Sequence, residues 1–394
     1  MAKGRLRIAY LCDMSPLDRN LYSGGNARIH DALCRHAGDV TILPQSWYGA
    51  EPVRRLIAAL PEALNLRLRW RVQLLLSRMV ARGVERVLRE GEFDVLFGAY
   101  SFQSMAGVRV PDGMVSAYTS DATQTVYRTS EIGQAHDRLF RFGHLLDGWV
   151  ERREREMLQQ MDLLLWPSDW LQKAAEARYD LSPETAHLVP WGANLDAWPD
   201  PVSRSIDLDA PVRLLLIGRN WFAKGGPIAF DCMKALREQG FDARLTVIGC
   251  VPPEFHVNEW VTVHPQLNKA VPADLADFNA ELAKAHFLVQ PSFESYGFAY
   301  CEASAFGLPS LCLRVGGVPV RDGINGHALP LGSGADDFAA LVRGYIENPG
   351  SYAALSSAAR AEFEAHLNWD AWGRRVAGLL HEAVDRKRVS PDQA

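Results

Sequence analysis

Two glutamates, Glu294 and Glu302, are separated by seven residues in the stretch QPSFESYGFAYCEASAFGL over 290–308. The stretch reads as a strand end, a loop and a helix start. Glu294 falls on the loop and Glu302 a little over one turn into the helix. Between them lie Ser295, Tyr296, Gly297 and Phe298, and Gly297 permits close backbone approach at a helix N-terminus. Free amides at such a terminus point outward, and the helix dipole favours an anion there. The chemistry suggested is a phosphate cradle with a carboxylate on either side. Each carboxylate can accept a pair of hydroxyl donors, such as those of a ribose or a sugar. A solvated acid at a helix start would also suit Glu294. Glu302 has less freedom, because Phe298, Ala299, Cys301, Ala303 and Ala305 make its helix apolar, and a buried acid needs a partner.

A second cluster, IGRNWFAKGG over 217–226, carries Gly218, Arg219 and Lys224 on a loop after an apolar run. A helix follows, with Pro227 in its first turn and Gly240 at its end. Loops at the C-terminal ends of strands are where α/β sheets bind ligands. Arginine offers a planar fork of donors and lysine a point charge, and both suit a diphosphate. The alternative is two solvated loop cations.

Positioning these groups requires sheets. Apolar runs at 6–12, 40–44, 93–99, 114–118, 162–166 and 187–190 alternate with helix-like stretches. The pattern resumes at 212–218, 243–249, 261–264, 287–290 and 310–315. Runs apolar throughout suit parallel strands covered on both faces, and the alternation gives doubly wound α/β sheets. At 394 residues two domains are the default. The segment DPVSRSIDLDAP over 200–211 reads as the linker between them. The expected domains are 1–199 and 200–371, with a final helix at about 372–394. That helix packs either on its own domain or back on the first. No solenoid-period repeat is evident.

Composition narrows the function classes. The net charge is −5, which argues against a general nucleic-acid binder. The cysteines Cys12, Cys34, Cys232, Cys250, Cys301 and Cys312 form no CxxC and keep no zinc spacing with His. Four of them sit in or beside apolar runs, where Cys acts as a small hydrophobe, and the protein reads as reduced and cytoplasmic. The start lacks a signal peptide's apolar stretch, and no apolar run approaches the roughly 20 residues of a membrane span.

The second half resembles the donor domain of glycosyltransferase family 4. The family's E-x7-E signature matches Glu294 and Glu302, and its Arg-plus-Lys-Gly loop matches Arg219, Lys224 and Gly225. Its glycine after the next strand matches Gly249. Its glycine pair before a DGxNG matches Gly316 and Gly317 before Asp322, Gly323, Asn325 and Gly326. In the first half, Ser23-Gly24-Gly25 matches the Gly-Gly loop after strand one, and 189–194 (VPWGAN) matches V-P-N-G-V-D. The resemblance implies the GT-B fold: two facing doubly wound, Rossmann-like domains with a C-terminal crossover helix. The first domain would bind the acceptor and the second the nucleotide-sugar donor. It also implies retaining transfer of a hexose from a UDP-sugar, favoured over a GDP-sugar. Glu294 would hold the sugar hydroxyls and Glu302 the ribose. Arg219, Lys224 and the amides near Gly297 and Phe298 would bind the diphosphate.

The sequence departs from the family pattern in three places. The usual GG-x-P-E becomes GGVPV over 316–320, Trp191 replaces an Asn, and Thr119-Ser120-Asp121-Ala122-Thr123 stands where the family often has a His. Asp121 either holds that catalytic place or caps the following helix. No metal is required by this reading. The only Asp-x-Asp, Asp207 and Asp209, lies in the linker, and Arg219 with Lys224 could supply the charge instead.

The stretch from Arg54 to Arg89 holds nine Arg against two Glu. On a helical wheel Arg67, Arg71, Arg78, Arg82 and Arg89 share a face, with Pro61 and Gly83 as expected breaks. Such a face suits an anionic membrane surface and a lipid or lipid-linked acceptor. A solvated helix face is the alternative. Two further functions stay open: a nucleotide-sugar epimerase of the same fold, and a non-catalytic sugar-nucleotide-binding protein.

Overall fold

A computed structural model describes residues 4–19, 21–136, 146–201, 204–207 and 209–389, with the side chains of 62–64, 66–68 and 135–136 outside the description. The chain forms two compact units, 1–190 with 369–394, and 191–368.

The first unit holds six parallel strands: β1 (Leu6–Leu11), β2 (Gly38–Ile42), β3 (Val95–Ala99), β4 (Val115–Thr119), β5 (Leu163–Trp166) and β6 (Ala186–Leu188). Their order is β2-β1-β3-β4-β5-β6. The second unit holds β7 (Val212–Ile217), β8 (Ala243–Ile248), β9 (Val261–His264), β10 (Phe287–Val289), β11 (Ser310–Leu313) and β12 (Gly326–Leu329), in the order β12-β11-β10-β7-β8-β9. The central strands β3, β4, β5, β10 and β11 are buried along their whole length, as the continuous apolar runs require. Eleven strands lie on the expected runs. The twelfth, GHAL, was not expected. It is four residues long, sits at a sheet edge and carries a glycine and a histidine.

The unit boundary lies earlier than expected, at Pro190/Trp191. Trp191 is fully buried, and its ring stacks on Phe298 at 5.9 Å and meets Tyr296 edge-on at 5.5 Å. The 200–211 segment is therefore part of the second unit rather than a linker between the sheets. Arg204 anchors it there, donating to the backbone carbonyls of Phe306, Leu282 and Ala285. The last helix, Trp369–Val389, belongs to the first unit. Asp370 near its start accepts from Arg35 and His36, and Lys387 near its end bonds Asp162 at 2.8 Å. Trp372 is buried edge-on against Phe97.

The Arg-rich stretch is two helices, Glu62–Leu75 and Ser77–Glu90, broken at Leu76 rather than at Gly83. Gly83 lies inside the second helix, where the Tyr48 ring covers it so closely that a Cβ would meet that ring at 2.1 Å. One helical wheel thus does not run through the whole basic face. Arg71 is half-buried with its guanidinium 5.0 Å from the Trp70 ring, whereas Arg78, Arg82 and Arg89 are exposed. The side chain of Arg67 lies outside the described residues. Met79, next to Arg78, is 42% exposed, and Leu56 and Leu75 are also exposed. Among the described residues no helix is long and apolar enough to cross a membrane.

Candidate functional site

In the second sheet the strand order turns between β7 and β10, which makes the crevice outside their C-terminal ends the default ligand position. Both sequence clusters lie there. The loop after β7 carries Gly218, Arg219 and Lys224. It is folded on itself: the Lys224 N–H donates to the Asn220 carbonyl and the Gly226 N–H to the Trp221 carbonyl. Gly218 is needed because the Lys224 stem crosses it; a Cβ would meet Lys224 Cγ at 2.3 Å. Gly249, after β8, donates its N–H to the His264 carbonyl and so lines up the neighbouring turn.

The loop after β10 brings Glu294 to Lys224. The ammonium and the Glu294 Oε1 form an ion pair, and the same oxygen accepts from the Ser292 hydroxyl at 3.0 Å. Gly297, at φ +94°, then turns the chain into the helix Phe298–Ala305, whose first amides have no side-chain cap. Arg219, on the same loop as Lys224, is exposed. The cluster therefore offers two cations, uncapped helix amides and a carboxylate held by one of the cations.

Glu302 has a different cation as its partner. It is 4% exposed, and its Oε1 lies 2.6 Å from the Lys269 ammonium. Lys269 was not singled out from the sequence. It sits in an ordinary-looking loop, and only the need of a buried Glu302 for a partner signalled that some cation must come near. The Tyr296 hydroxyl donates to the Trp191 carbonyl at 2.7 Å and the Phe298 ring stacks on Trp191, so both side chains are packed inward. The Ser295 carbonyl accepts from the Gly317 N–H, tying the glycine pair to the loop. The DGxNG turn is a brace. Asn325, fully buried, donates to Ser304 in the glutamate helix and to the Pro319 carbonyl.

The first unit has its own turning point between β1 and β3. Gly24 caps the helix Gly25–His36, and both glycines are buried. Just before them Tyr22, at φ +49°, stacks on Tyr100, at φ +52°, with centroids 4.2 Å apart and planes within 9°. Positive φ at two bulky residues is backbone strain, and strain of this kind concentrates at functional sites. The two rings help wall a cavity of about 190 Å³, with Tyr118, Ser120, Gln124 and Glu154 among its other lining. Burial pushes the Tyr22 phenol up to about 12, helped by the charges of Asp13 and Asp121. Burial also raises the Glu154 carboxyl, which accepts the N–H groups of Gln124 and Thr125 and the Tyr179 hydroxyl. Asp121 does not cap the following helix. Thr123 does, accepting from the Val126 N–H at 3.1 Å. Tyr22, Tyr100 and Glu154 had carried no sequence signal, because ordinary spacing reveals neither a left-handed φ nor a cavity. Among the described residues no group of three His, Cys, Asp or Glu side chains is placed to hold a metal ion.

Residues 211–348 match the family described as Glycosyl transferases group 1. The chain is 29% identical over 270 residues to a D-inositol 3-phosphate glycosyltransferase from Nocardiopsis dassonvillei, covering 61% of this chain and 60% of that protein. It is 26% identical over 248 residues to a GDP-mannose-dependent alpha-(1-6)-phosphatidylinositol monomannoside mannosyltransferase from Mycolicibacterium smegmatis, covering 57% of this chain and 64% of that one. Each match thus spans about three fifths of the curated relative. Among solved structures, sucrose-phosphate synthase from Thermosynechococcus elongatus superposes with a TM-score of 0.66 at 17% identity, over 97% of this chain and 100% of that one. That likeness shows the GT-B class of fold.

Proposed function

We propose that this chain is a glycosyltransferase of family 4 type, a hexosyltransferase that uses a nucleoside-diphosphate sugar. The observation that carries the reading is the crevice at β7 and β10. There Lys224, Glu294 and the uncapped amides of Phe298–Ala305 lie together, with Arg219 on the same loop as Lys224 and Glu302 further along that helix. A diphosphate meets the cations and amides, and the two carboxylates take hydroxyl donors on either side of it. We assign the sugar hydroxyls to Glu294 and the ribose to Glu302. A UDP-sugar is the donor we favour over a GDP-sugar.

The reaction follows from those assignments. The bond from the sugar C1 to the β-phosphate oxygen breaks, and charge builds on the leaving nucleotide. Arg219, Lys224 and the amides at Gly297 and Phe298 stabilise that charge. The acceptor oxygen bonds to C1 on the face the phosphate leaves, so the configuration is retained. The acceptor's proton passes to the departing phosphate. In this reading the first unit holds the acceptor, with Asp121 assigned to it, and Gly24 and Gly25 are assigned to donor binding.

The acceptor we propose is a lipid or lipid-linked molecule, reached from an anionic membrane surface on the cytoplasmic side. The support is the exposed row of Arg78, Arg82 and Arg89 on one helix, with Met79 on that helix and Leu75 on the preceding one also exposed. The mannosyltransferase relative is named for a phosphatidylinositol substrate.

A panel of UDP- and GDP-hexoses, read by product mass spectrometry with and without EDTA, tests the proposal. Sugar transfer from one donor, surviving chelation, is the expected result. Isomerised donor without transfer would point to an epimerase, and binding without turnover or hydrolysis to a non-catalytic sugar-nucleotide-binding protein. Activity abolished by EDTA and restored by Mg²⁺ would contradict the metal-free chemistry.

A further inference from the structure

Lys269 belongs to the loop between β9 and the helix Pro272–Lys284. Its ammonium lies 2.6 Å from Glu302 Oε1 and 4.2 Å from the centroid of the buried Phe278 ring. We propose that Lys269 is a positioning residue for ribose recognition: it fixes the Glu302 carboxylate so that the remaining acceptor sites meet the vicinal diol of a nucleoside diphosphate. The inference rests on the assignment of Glu302 to the ribose.

Three observations carry it. First, the loop is built to hold the ammonium still. The Asn268 N–H donates to Asp274 Oδ2 at 2.8 Å, the Ala270 N–H to Asn268 Oδ1 at 3.0 Å, and the Val271 N–H to the Asn268 carbonyl. The bracing lies on both sides of Lys269. The ring beneath it adds a cation–π contact. Second, the bond occupies one carboxylate oxygen. A carboxylate has about four acceptor positions on two oxygens, so Oε2 and further lone pairs remain for two hydroxyls. Third, the pair joins a buried carboxylate to a partly exposed ammonium. Glu302's side chain is 5% exposed and that of Lys269 37% exposed. A partly buried ion pair is a poor source of stability, since apolar residues of similar volume usually do as well. A buried carboxylate fixed by a partly exposed ammonium suits a ligand with two adjacent donors.

Calorimetry on the full chain tests this with a nucleoside diphosphate, UDP or GDP, and its 2′,3′-dideoxy form. The wild type is expected to prefer the ribose form by about tenfold or more, the value of a hydrogen bond to a charged group. Lys269→Met should shrink that preference to within about twofold while leaving the dideoxy form bound as in the wild type. Lys269→Arg should keep most of it. A Lys269→Met protein with the full wild-type preference overturns the proposal, as does one that loses affinity for both forms equally. If Lys269→Met does not fold, Phe278→Leu replaces it, and an unchanged preference in that variant overturns the proposal. Glu302→Gln separates the failures. If it abolishes the preference while Lys269→Met does not, only the role of Lys269 falls. If the wild type has no preference, or binds neither nucleotide, the ribose assignment falls and this inference with it.

Discussion

The Lys224 ammonium and the Glu294 carboxylate close on each other across the two loops that follow β7 and β10. Both side chains are about three quarters or more withdrawn from water. Lys224 therefore has two demands on its charge, the carboxylate and any diphosphate that enters.

Removing it should hurt twice. Lys224→Ala takes away a phosphate cation and leaves Glu294 unpaired beside the phosphates. Arg219→Ala takes away only a cation. Each loss is worth about ten- to a hundredfold in nucleoside-diphosphate affinity, the scale of a charge-assisted bond. Lys224→Ala should lie at the upper end. Adding Glu294→Ala to it should recover part of the affinity, because the unpaired charge goes with it. Calorimetry on the three variants checks this. Unchanged affinity in both single variants would put the phosphate site elsewhere.

The positions of this pair are legible in the amino-acid sequence. The E-x7-E spacing, the Arg and Lys ahead of a helix, and the apolar strands leading to each suffice, because parallel strands and their C-terminal loops are written in local sequence. What local sequence does not carry is pairing across long separations. Lys269 is 33 residues from Glu302, and Trp191 is 105 from Tyr296. The first pairing supplies an unpredicted partner. The second moves the unit boundary to Trp191. The left-handed Tyr22 and Tyr100 are invisible for a related reason, since tertiary packing and not residue type holds them there.

The second unit should lose stability in mild acid through His286. Its Nδ1 accepts the Arg213 N–H at 3.0 Å, so that nitrogen carries no proton. Burial, and then the charges of Arg204 and Arg213, hold its pKa down at about 4. The unfolded chain takes up this proton near pH 6.5 and the folded chain only near 4. Stability is therefore intact above about 6.5 and declines as pH falls towards 4, by up to about 3 kcal/mol. His286→Asn keeps an acceptor and should flatten that part of the slope. Urea unfolding at about pH 7 and about pH 4.5 measures it. Equal slopes in wild type and variant would contradict the account.

Vesicle binding should depend on the exposed arginines. Arg78→Glu with Arg82→Glu should weaken binding to phosphatidylglycerol vesicles by more than about tenfold at low salt, since each cation near an anionic surface contributes about 1 kcal/mol. Salt should weaken wild-type binding, and phosphatidylcholine should bind poorly. Nucleotide affinity, which rests on the second unit, should not change. Equal sedimentation of wild type and variant would remove the case for a lipid acceptor.

The most direct test of the central claim is calorimetry of Glu294→Ala and Glu302→Ala with UDP and with the UDP-sugar that the donor panel selects, or the GDP pair if that is preferred. If the crevice holds the donor as assigned, Glu294→Ala binds the bare diphosphate with near wild-type affinity but loses about tenfold or more for the sugar nucleotide. Glu302→Ala loses about as much for both, because both carry the ribose. Identical losses in the two variants with the bare diphosphate, or no loss in either with the sugar nucleotide, would contradict the account.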